Sequence, residues 1–354
     1  MTSAAARLQR AWYSPDRTLV AVLLLPLAWL FGGIAAIRRA AYRAGVLRSA
    51  RVRAPLVVVG NITVGGSGKT PLVRALVDAL RQRGRRPGVV SRGHGRRTHD
   101  TRAVHAADDA RDVGDEPLLL AATGVPIWVG ADRAAAARAL LAAHADVDVV
   151  VADDGLQHYA LGRDVEIAVI DAARGLGNGL LLPAGPLREP PSRLASVDAV
   201  VWLTTGDAAP MPPCHAHQFA MLYEALAWTN LTDPARGFDS ALLADPATVA
   251  IAGIAHPERF FEQLRADGFR GVARAFPDHH RYTAEDVAFR GAAAILMTEK
   301  DAVKCRAFAD ARMWMLPVRA RADPALIDFV LERIDGSEAP RNARLPGHEG
   351  TARP

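Results

Sequence analysis

The spacing of apolar residues changes regularly along this chain. Short, almost wholly apolar runs are followed by stretches with apolar residues at helical spacing, as in Leu72, Val73, Leu76 and Leu80. The runs predict strands at residues 56–59, 86–91, 125–129, 147–152, 165–171 and 197–203, with an alanine-rich helix at residues 132–144. Continuous apolar strands separated by helices are typical of a parallel sheet that helices cover on both faces.

The pattern is interrupted at residues 206–248 and then resumes. Pro210, Pro212 and Pro213 break the chain, and residues 217–228 are predicted to form strands of a connector. A second series follows, with strands predicted at residues 248–254, 293–298 and 313–318 and helices at residues 257–267 and 300–308. We therefore expect a second, smaller α/β subdomain, and we find no internal repeat of fixed period.

The longest apolar stretch lies near the N-terminus. No charged residue occurs from residue 18 to residue 37, close to the roughly 20 residues that a helix needs to cross a bilayer. Arg17 precedes this stretch, and a collar of arginines follows it: Arg38, Arg39, Arg43, Arg48, Arg51 and Arg53. We expect an N-terminal membrane helix, with its basic collar on the cytoplasmic side.

Other interpretations of this stretch stay open at this point. A cleaved secretory signal is disfavoured, because the stretch is long, starts well inside the chain and lacks a convincing small-residue cleavage site. A buried amphipathic helix and an anchor that lies in one leaflet remain alternatives. Pro26 and the pair Gly32–Gly33 weaken a straight membrane span.

A glycine-rich loop follows the first strand of the larger domain and precedes its first helix. Gly68-Lys69-Thr70 ends the loop, and Thr63 stands where the usual nucleotide-binding pattern has its first glycine. Backbone N–H groups of such a loop surround phosphate oxygens, the lysine reaches the β- and γ-phosphates, and the threonine ligates Mg²⁺. The predicted nucleotide-binding residues are Thr63, Val64, Gly65, Gly66, Ser67, Gly68, Lys69 and Thr70. A glycine-rich turn with a surface lysine is the alternative.

Two carboxylates, Asp153 and Asp154, close the strand predicted at residues 147–152. Ligands of open α/β sheets bind at the carboxyl ends of the strands, so these side chains are expected beside the phosphates, where they can hold Mg²⁺. An aspartate that caps the next helix is the alternative interpretation.

A kinase also needs a group that orients or deprotonates the attacking hydroxyl. The candidates are Asp115 with Glu116, then His158, and the pair His279 and His280. Asp115 and Glu116 precede an apolar run, so helix capping explains them about equally well. The histidine pair lies in the second subdomain and can reach the cleft only across the interface.

The net charge and the cysteine content indicate which compartment and which kind of partner the protein has. The net charge is only +5, and the basic residues collect beside the apolar stretch, which suits an anionic membrane surface better than a nucleic acid. The two cysteines, Cys214 and Cys305, are far apart, so neither a disulfide framework nor a cysteine metal site is expected. This usage fits a reducing cytoplasm.

An ordered set of motifs resembles the tetraacyldisaccharide 4′-kinases, the lipid A 4′-kinases of Gram-negative bacteria. The motifs run from about residue 12 to residue 320. They are the glycine-rich loop with Pro71, Ser91-Arg-Gly-His-Gly-Arg, Gly114-Asp-Glu-Pro, Asp153-Asp-Gly-Leu-Gln-His, Leu182-Pro-Ala-Gly-Pro-Leu-Arg-Glu-Pro, Phe276-Pro-Asp-His and Thr298-Glu-Lys-Asp. Departures from the family pattern occur at His94, Pro186 and His256. They concern the fit of the lipid and not the type of reaction.

The resemblance implies an activity and a fold. ATP would phosphorylate the 4′-hydroxyl of a tetraacylated disaccharide 1-phosphate at the cytoplasmic face of the inner membrane, giving lipid IVA. The implied fold is a P-loop α/β/α domain joined by a two-stranded linker to a smaller α/β domain, with an N-terminal membrane helix. The expected division is an anchor at residues 1–48, a P-loop kinase domain at 49–230, an α/β subdomain at 231–333 and a disordered tail at 334–354.

The resemblance also implies roles for individual residues. Asp115 matches the catalytic aspartate and His279 its partner, while Lys69 keeps its role in the phosphate loop. The residues implied on the metal side are Thr70, Asp153, Asp154 and Glu189, and Arg92 faces a lipid phosphate. The alternatives are a membrane-associated P-loop ATPase switch and a soluble small-molecule kinase. A GTPase is disfavoured because Thr298-Glu-Lys-Asp carries one residue too many for a guanine-binding motif.

Overall fold

The computed structural model describes residues 4–14, 16, 18–204 and 214–342, with side chains from residue 8 to residue 337 within those ranges. Two sheets organise these residues. The helices are α1 (Ala4–Trp12), α2 (Leu19–Leu23), α3 (Leu25–Arg43), α4 (Lys69–Gln82), α5 (Ala110–Val113), α6 (Asp115–Ala121), α7 (Arg133–Ala143), α8 (Ala241–Ala244), α9 (Pro257–Ala266), α10 (Glu299–Cys305) and α11 (Pro324–Asn342).

The strands follow the predicted apolar runs closely, which confirms the mixed α/β class. They are β1 (Leu56–Gly60), β2 (Pro87–Ser91), β3 (Arg102–Ala103), β4 (Ile127–Val129), β5 (Val149–Asp153), β6 (Val165–Asp171), β7 (Ala199–Thr204), β8 (Gln218–Ala225), β9 (Thr229–Asn230), β10 (Val249–Ala252), β11 (Val272–Ala275), β12 (Ile295–Thr298), β13 (Met313–Leu316) and β14 (Val318–Ala322).

The larger sheet has nine strands in the order β14-β8-β7-β6-β1-β5-β2-β4-β3. All its pairings are parallel except those of the edge strands β3 and β14. Alternate residues of β1 enter two separate cores: Val57 and Val59 pack with α4 and α11, and Leu56 and Val58 pack with α7. This is the two-faced burial that the apolar runs predict.

The smaller sheet has five strands in the order β11-β10-β12-β13-β9, and only the β13–β9 pair is antiparallel. One face packs against α9 through Phe261 and Leu264, and the other against α10 through Ala302 and Cys305. The strand β9 already belongs to this sheet. The expected start of the subdomain at residue 231 is therefore a few residues late.

The C-terminal boundary differs more from the expectation. After β13 the chain returns to the larger sheet, where β14 pairs antiparallel with β8. The helix α11 then packs on the same sheet with Leu326, Val330 and Ile334 fully buried. The smaller unit therefore ends near Leu316 and not at residue 333. A disordered tail was expected from residue 334, but Ile334 is part of this core and the helix α11 continues to Asn342. Residues 343–354 lie outside the described part of the chain.

The N-terminal segment also differs from the single membrane helix expected there. Thr18 caps α2 by accepting a hydrogen bond from the N–H of Ala21, and α2 ends at Leu23. Pro26 lies in the first turn of α3, where proline starts a helix but cannot continue one. The apolar stretch is thereby split, and α3 runs on into Arg38 and Arg39. None of the described helices has both the length and the apolarity needed to cross a membrane.

Candidate active site

The glycine-rich loop at residues 63–70, called the phosphate loop from here on, leads from β1 into the start of α4 at the carboxyl edge of the larger sheet. Gly68 has a φ of 90° directly before the first residue of α4, a conformation that glycine adopts without strain. A Cβ at Gly68 would stand 2.9 Å from the Tyr223 hydroxyl oxygen, so both the conformation and the space require glycine. The sequence thus places the N-terminus of a 14-residue helix at the loop.

The unusual first half of the loop has a structural explanation. Thr63 forms an isolated bridge with Leu187, and the N–H of Val64 donates to the carbonyl oxygen of Pro186 at 2.8 Å. The segment around Pro186 thus holds this half of the loop by backbone pairing. A threonine can replace the usual first glycine because pairing of this kind needs extended backbone and no positive φ.

The end of the loop carries polar groups that lie inside the protein. Lys69 is buried, and its ammonium group stands 3.6 Å from Oδ1 of Asp154. The Oγ of Ser67 is buried without a hydrogen-bond partner among the described residues, while Thr70 is half-buried. A free hydroxyl and a lysine at a helix N-terminus are suited to an anionic ligand.

Asp153 is fully buried at the end of β5, directly beside Val59 of β1. Neither of its carboxylate oxygens has a hydrogen-bond partner among the described residues. Burial and the nearby charge of Glu116 raise the pKa of Asp153 to about 8. A buried carboxylate without partners is costly unless a ligand satisfies it.

Asp154, the next residue, has the opposite electrostatics. Burial alone would raise its pKa, but the charges of Lys69 and Arg188 lower that pKa to about 2. Arg188 stands 3.2 Å from both carboxylate oxygens of Asp154. The φ of Asp154 is 51°, a left-handed conformation that aspartate tolerates better than most residues. Of the two neighbouring carboxylates, Asp154 is therefore ionised and paired, whereas Asp153 lacks a partner.

Glu189 lies close by, but its oxygens are already engaged. Gln157 donates to Oε1 at 2.7 Å, the Tyr159 hydroxyl donates to Oε2, and the Nε of Arg193 stands 3.2 Å from Oε2. Arg39 of α3 adds a longer ion pair at 3.8 Å. Glu189 thus sits in a network of its own, which gives no support to its expected role beside a metal.

Asp115 and His279 meet across the two sheets. Asp115 begins α6 of the larger domain and is buried, and the Nδ1 of His279 lies 3.0 Å from its Oδ2. His279 has a φ of 58°, so the loop after β11 turns sharply at this residue. The hydrogen bond to Asp115 raises the pKa of His279. Burial alone would raise the pKa of Asp115, but His279 and Lys300 lower that pKa to about 2.

Lys300 completes this group, although it was not among the predicted site residues. Its ammonium nitrogen lies 3.4 Å from the His279 Nε2, 3.4 Å from Glu116, 3.5 Å from Asp278 and 3.8 Å from Asp115. Burial would lower the pKa of Lys300, yet these carboxylates raise it. One signal was visible: Lys300 lies two residues after the end of β12, so it stands near the carboxyl end of a strand, as Asp153 does at the end of β5.

Glu116 brings the two groups into one site. It contacts Lys300 at 3.4 Å, and its charge acts on the buried carboxyl of Asp153. The two units also meet through helices α4 and α10, because Arg74 of α4 forms a 2.9 Å ion pair with Glu299 of α10. The dyad of Asp115 and His279 therefore adjoins the phosphate loop.

The remaining candidates lie around this centre in other roles. Arg92 is exposed directly after β2. The burial of Arg133 and the nearby charge of Arg92 lower the pKa of Arg133 to about 10. His158 is half-buried, and burial lowers its pKa to about 4. His280 turns away from the dyad and stands 3.1 Å from Asp286 within the smaller unit. His94, a departure from the family pattern, packs edge-on against His279 with ring centroids 5.2 Å apart.

The described residues contain no group of three or more histidine, cysteine, aspartate or glutamate side chains that could by itself hold a metal ion. Thr70 and the Asp153–Asp154 pair are nevertheless the kind of oxygen donors that Mg²⁺ takes when phosphates and water complete its coordination. The unpartnered oxygens of Asp153 fit that use.

Comparisons with known proteins agree with this geometry. Residues 20–335 match the model of the LpxK family, tetraacyldisaccharide-1-P 4′-kinase. The chain is similar to the tetraacyldisaccharide 4′-kinase of Dechloromonas aromatica, with 48% identity over 94% of this chain and 98% of the relative. It is 50% identical to the protein of that name from Alkalilimnicola ehrlichii, over 89% of this chain and 92% of the relative.

A solved structure has the same fold. It is the "apo" form of LpxK from Aquifex aeolicus in complex with ATP, with a TM-score of 0.76 and 28% identity over 89% of this chain and 100% of that one. Family match, relatives and structure point the same way. This chain belongs to the tetraacyldisaccharide-1-P 4′-kinase family.

Proposed function

We propose that this protein transfers the γ-phosphoryl group of ATP to the 4′-hydroxyl of a tetraacyldisaccharide 1-phosphate, producing lipid IVA in lipid A biosynthesis. The observation that carries this proposal is the 3.0 Å contact between Asp115 and His279 beside the phosphate loop. It joins a base and its partner from two separate sheets at the place where a phosphate acceptor must lie. The names of the relatives supply the identity of that acceptor.

The dyad activates the sugar hydroxyl. His279 donates its Nδ1–H to Asp115, which fixes the tautomer and leaves the Nε2 lone pair for a proton. The carboxylate of Asp115 stabilises the imidazolium that forms, which agrees with the raised pKa of His279. Lys300, 3.4 Å from Nε2, limits this effect and supplies positive charge toward the transferring phosphoryl group.

The phosphate loop holds the donor. Backbone N–H groups of residues 65–70 and the ammonium group of Lys69 bind the phosphates of ATP, since the N–H of Val64 already donates to Pro186; the start of α4 adds its positive dipole. Mg²⁺ would be held by Thr70 with Asp153 and Asp154, and when bound it neutralises phosphate charge. A cation beside Asp153 would favour its ionised form, reversing the effect of burial.

The acceptor is a lipid, so we place the enzyme at the cytoplasmic face of the inner membrane. The apolar side chains of α2 and α3 support this, because several point into solvent: Leu19, Leu23, Leu27, Trp29, Leu30, Ile34 and Ile37. An apolar surface of this kind next to a basic collar is suited to a monotopic anchor that lies in one leaflet. Arg92, exposed beside the cleft, would meet a phosphate of the lipid.

The decisive experiment is an acceptor-dependent kinase assay. Purified protein is incubated with radiolabelled ATP, Mg²⁺ and a tetraacyldisaccharide 1-phosphate in detergent micelles, and the phosphorylated position of the product is mapped. We expect label at the 4′ position. Label elsewhere on the sugar would overturn the proposed regiochemistry.

The alternative function, a membrane-associated ATPase switch, is tested in the same assay. Such a protein hydrolyses ATP without a glycolipid acceptor, whereas the proposed kinase consumes ATP in proportion to the acceptor phosphorylated. The anchor is tested separately by removing residues 1–40. A truncated protein that sediments with membranes as fully as the whole chain would refute the anchor without affecting the kinase assignment.

A further inference from the structure

A cavity of about 390 Å³ lies where α3 ends against the larger domain. Arg39, Tyr42 and Arg43 of α3 line it, together with residues 159 and 161–164, which lead into β6. The volume is in the range of small-ligand sites. The residues assigned to the phosphate loop and to the dyad do not line it.

The acidic groups inside this cavity are already neutralised. Glu166 accepts from Arg163 at 2.7 Å and from Arg193 at 2.6 Å. Asp198, also in the lining, pairs with Arg333 at 3.4 Å. The back of the cavity therefore attracts neither cations nor anions strongly, because its charges cancel locally.

The mouth of the cavity, by contrast, has surplus positive charge. Arg43 is exposed, and within the described part of the chain its side chain makes no hydrogen bond or ion pair. Arg51 reaches Asp164 only at 3.8 Å and keeps 70% of its side chain exposed. Guanidinium groups bind phosphate oxygens through paired N–H donors. Two such groups with little else to bind indicate a phosphate ligand.

The position of the cavity mouth relative to the apolar side chains of α3 indicates a membrane lipid as the source of the phosphate group. The exposed apolar side chains of α3 end at Ile37. At 1.5 Å per residue, Arg43 lies about 9 Å further along the helix axis. The headgroup layer on each side of a bilayer is roughly 5–8 Å thick. If the apolar part of α3 enters one leaflet with its axis inclined to the membrane plane, Arg43 stands at most about 9 Å above the hydrocarbon, at the level of the phosphodiester groups. Arg51 lines the same cavity and lies at a similar level.

We propose that this cavity binds the phosphodiester headgroup of an anionic membrane phospholipid, distinct from the lipid that is phosphorylated. The inference rests on the proposed placement of α2 and α3 at a lipid surface. The ring of Tyr42 lies 5.9 Å from that of Tyr159, so the two close one side of the headgroup site. A bound headgroup would fix the angle at which the catalytic cleft faces the membrane.

Calorimetric titration tests the cavity without a bilayer. The probes are dihexanoyl phosphatidylglycerol and dihexanoyl phosphatidylcholine, both below their micelle-forming concentrations, and inorganic phosphate at matched ionic strength. We expect one saturable site for the phosphatidylglycerol only. The double variant R43Q/R51Q should weaken it about thirtyfold, from two basic contacts. The control R270Q/R290Q removes equal charge at exposed positions of the smaller unit and should leave binding unchanged.

Three results of the titration would overturn the proposal. Inorganic phosphate that binds as tightly as the phosphatidylglycerol would make the cavity a site for free anions. Equal weakening by the control pair would reduce the effect to net charge, and unchanged binding in R43Q/R51Q would place the lipid elsewhere.

Kinase turnover in detergent micelles separates this inference from the proposed function. We expect R43Q/R51Q to keep turnover, because neither arginine belongs to the catalytic groups, and to lose its preference for phosphatidylglycerol vesicles over neutral ones. Loss of turnover in this variant would mean that the cavity is part of the substrate site, and it would overturn the inference. A wild-type protein without kinase activity would instead refute the proposed function and leave the titration result standing.

Discussion

The two halves of the catalytic cleft are built in different ways. The nucleotide half comes from neighbouring strands of one sheet, because β1 leads into the phosphate loop and β5, paired with β1, ends at Asp153. The acceptor half forms only where the two units meet, since Asp115 begins α6 of the larger unit, whereas His279 and Lys300 belong to the smaller unit. The nucleotide half is therefore a local structure, whereas the acceptor half depends on the position of one unit relative to the other.

This difference predicts different kinetic defects on the two sides. The substitution Lys69→Ala removes a charge that contacts phosphate in both the ground state and the transition state. We expect weaker ATP binding and a fall in kcat/KM of roughly ten-thousand-fold, the largest effect among these predictions. Equilibrium binding of an ATP analogue and steady-state kinetics measure the two parts. Normal ATP affinity in this variant would contradict the placement of Lys69.

On the acceptor side, Asp115→Ala and His279→Ala should each lower kcat by about a thousandfold while ATP affinity stays near normal. The reason is that the dyad acts on the acceptor hydroxyl and not on the nucleotide. His280→Ala is the matched control, because His280 is the next residue and bonds Asp286 instead of Asp115. If both dyad variants kept turnover close to that of the control, the assignment of the base would be wrong.

The dyad also predicts opposite shifts in the pH dependence of kcat. The hydrogen bond to Asp115 raises the pKa of His279, and the charge of Lys300 lowers it. His279 must be unprotonated to accept a proton, so activity falls as the pH drops through its pKa. Asp115→Asn should therefore move the acidic limb of the profile to lower pH, and Lys300→Met should move it to higher pH, with a loss of kcat of about tenfold to a hundredfold.

These opposite directions provide the control for each variant. A general disturbance of the site would move both limbs in the same direction or leave both unchanged. The comparison requires residual activity in both variants, which single-turnover measurements with excess enzyme can detect. Identical limbs in the wild type and both variants would show that a group other than His279 titrates.

The contrast between the halves also explains what the sequence could predict. The strands β1 and β5, the loop at residues 63–70 and Asp153 follow from apolar runs and glycine positions, and the structure has each where it was expected. Pairing of Asp115 with His279 was expected only through the resemblance, since nothing in local spacing brings residues from two sheets together. The structure has this contact at 3.0 Å.

Other features could not be predicted because they depend on packing partners. The apolar stretch at residues 18–37 and the strand β1 have similar composition, but the first is largely exposed and the second fully buried. Glu189 was expected beside a metal, and only the fold reveals the tyrosine, glutamine and arginine that engage it. The return of β14 to the larger sheet likewise depends on an open edge at β8.

The smallest expected effect concerns one of the contacts that join the two units outside the dyad. Arg74 of α4 and Glu299 of α10 form a 2.9 Å ion pair with side chains 31% and 16% exposed. Solvent screens a pair of this kind, so a double-mutant cycle of Arg74→Ala and Glu299→Ala should give a coupling free energy of about 0.2–1 kcal/mol in the free energy of unfolding. The KM for ATP should change only a few-fold, because neither residue belongs to the phosphate loop. A coupling well above that range, or a large loss of kcat, would mean that this pair helps to align the dyad, and the acceptor half would then depend on more of the interface than Asp115, His279 and Lys300.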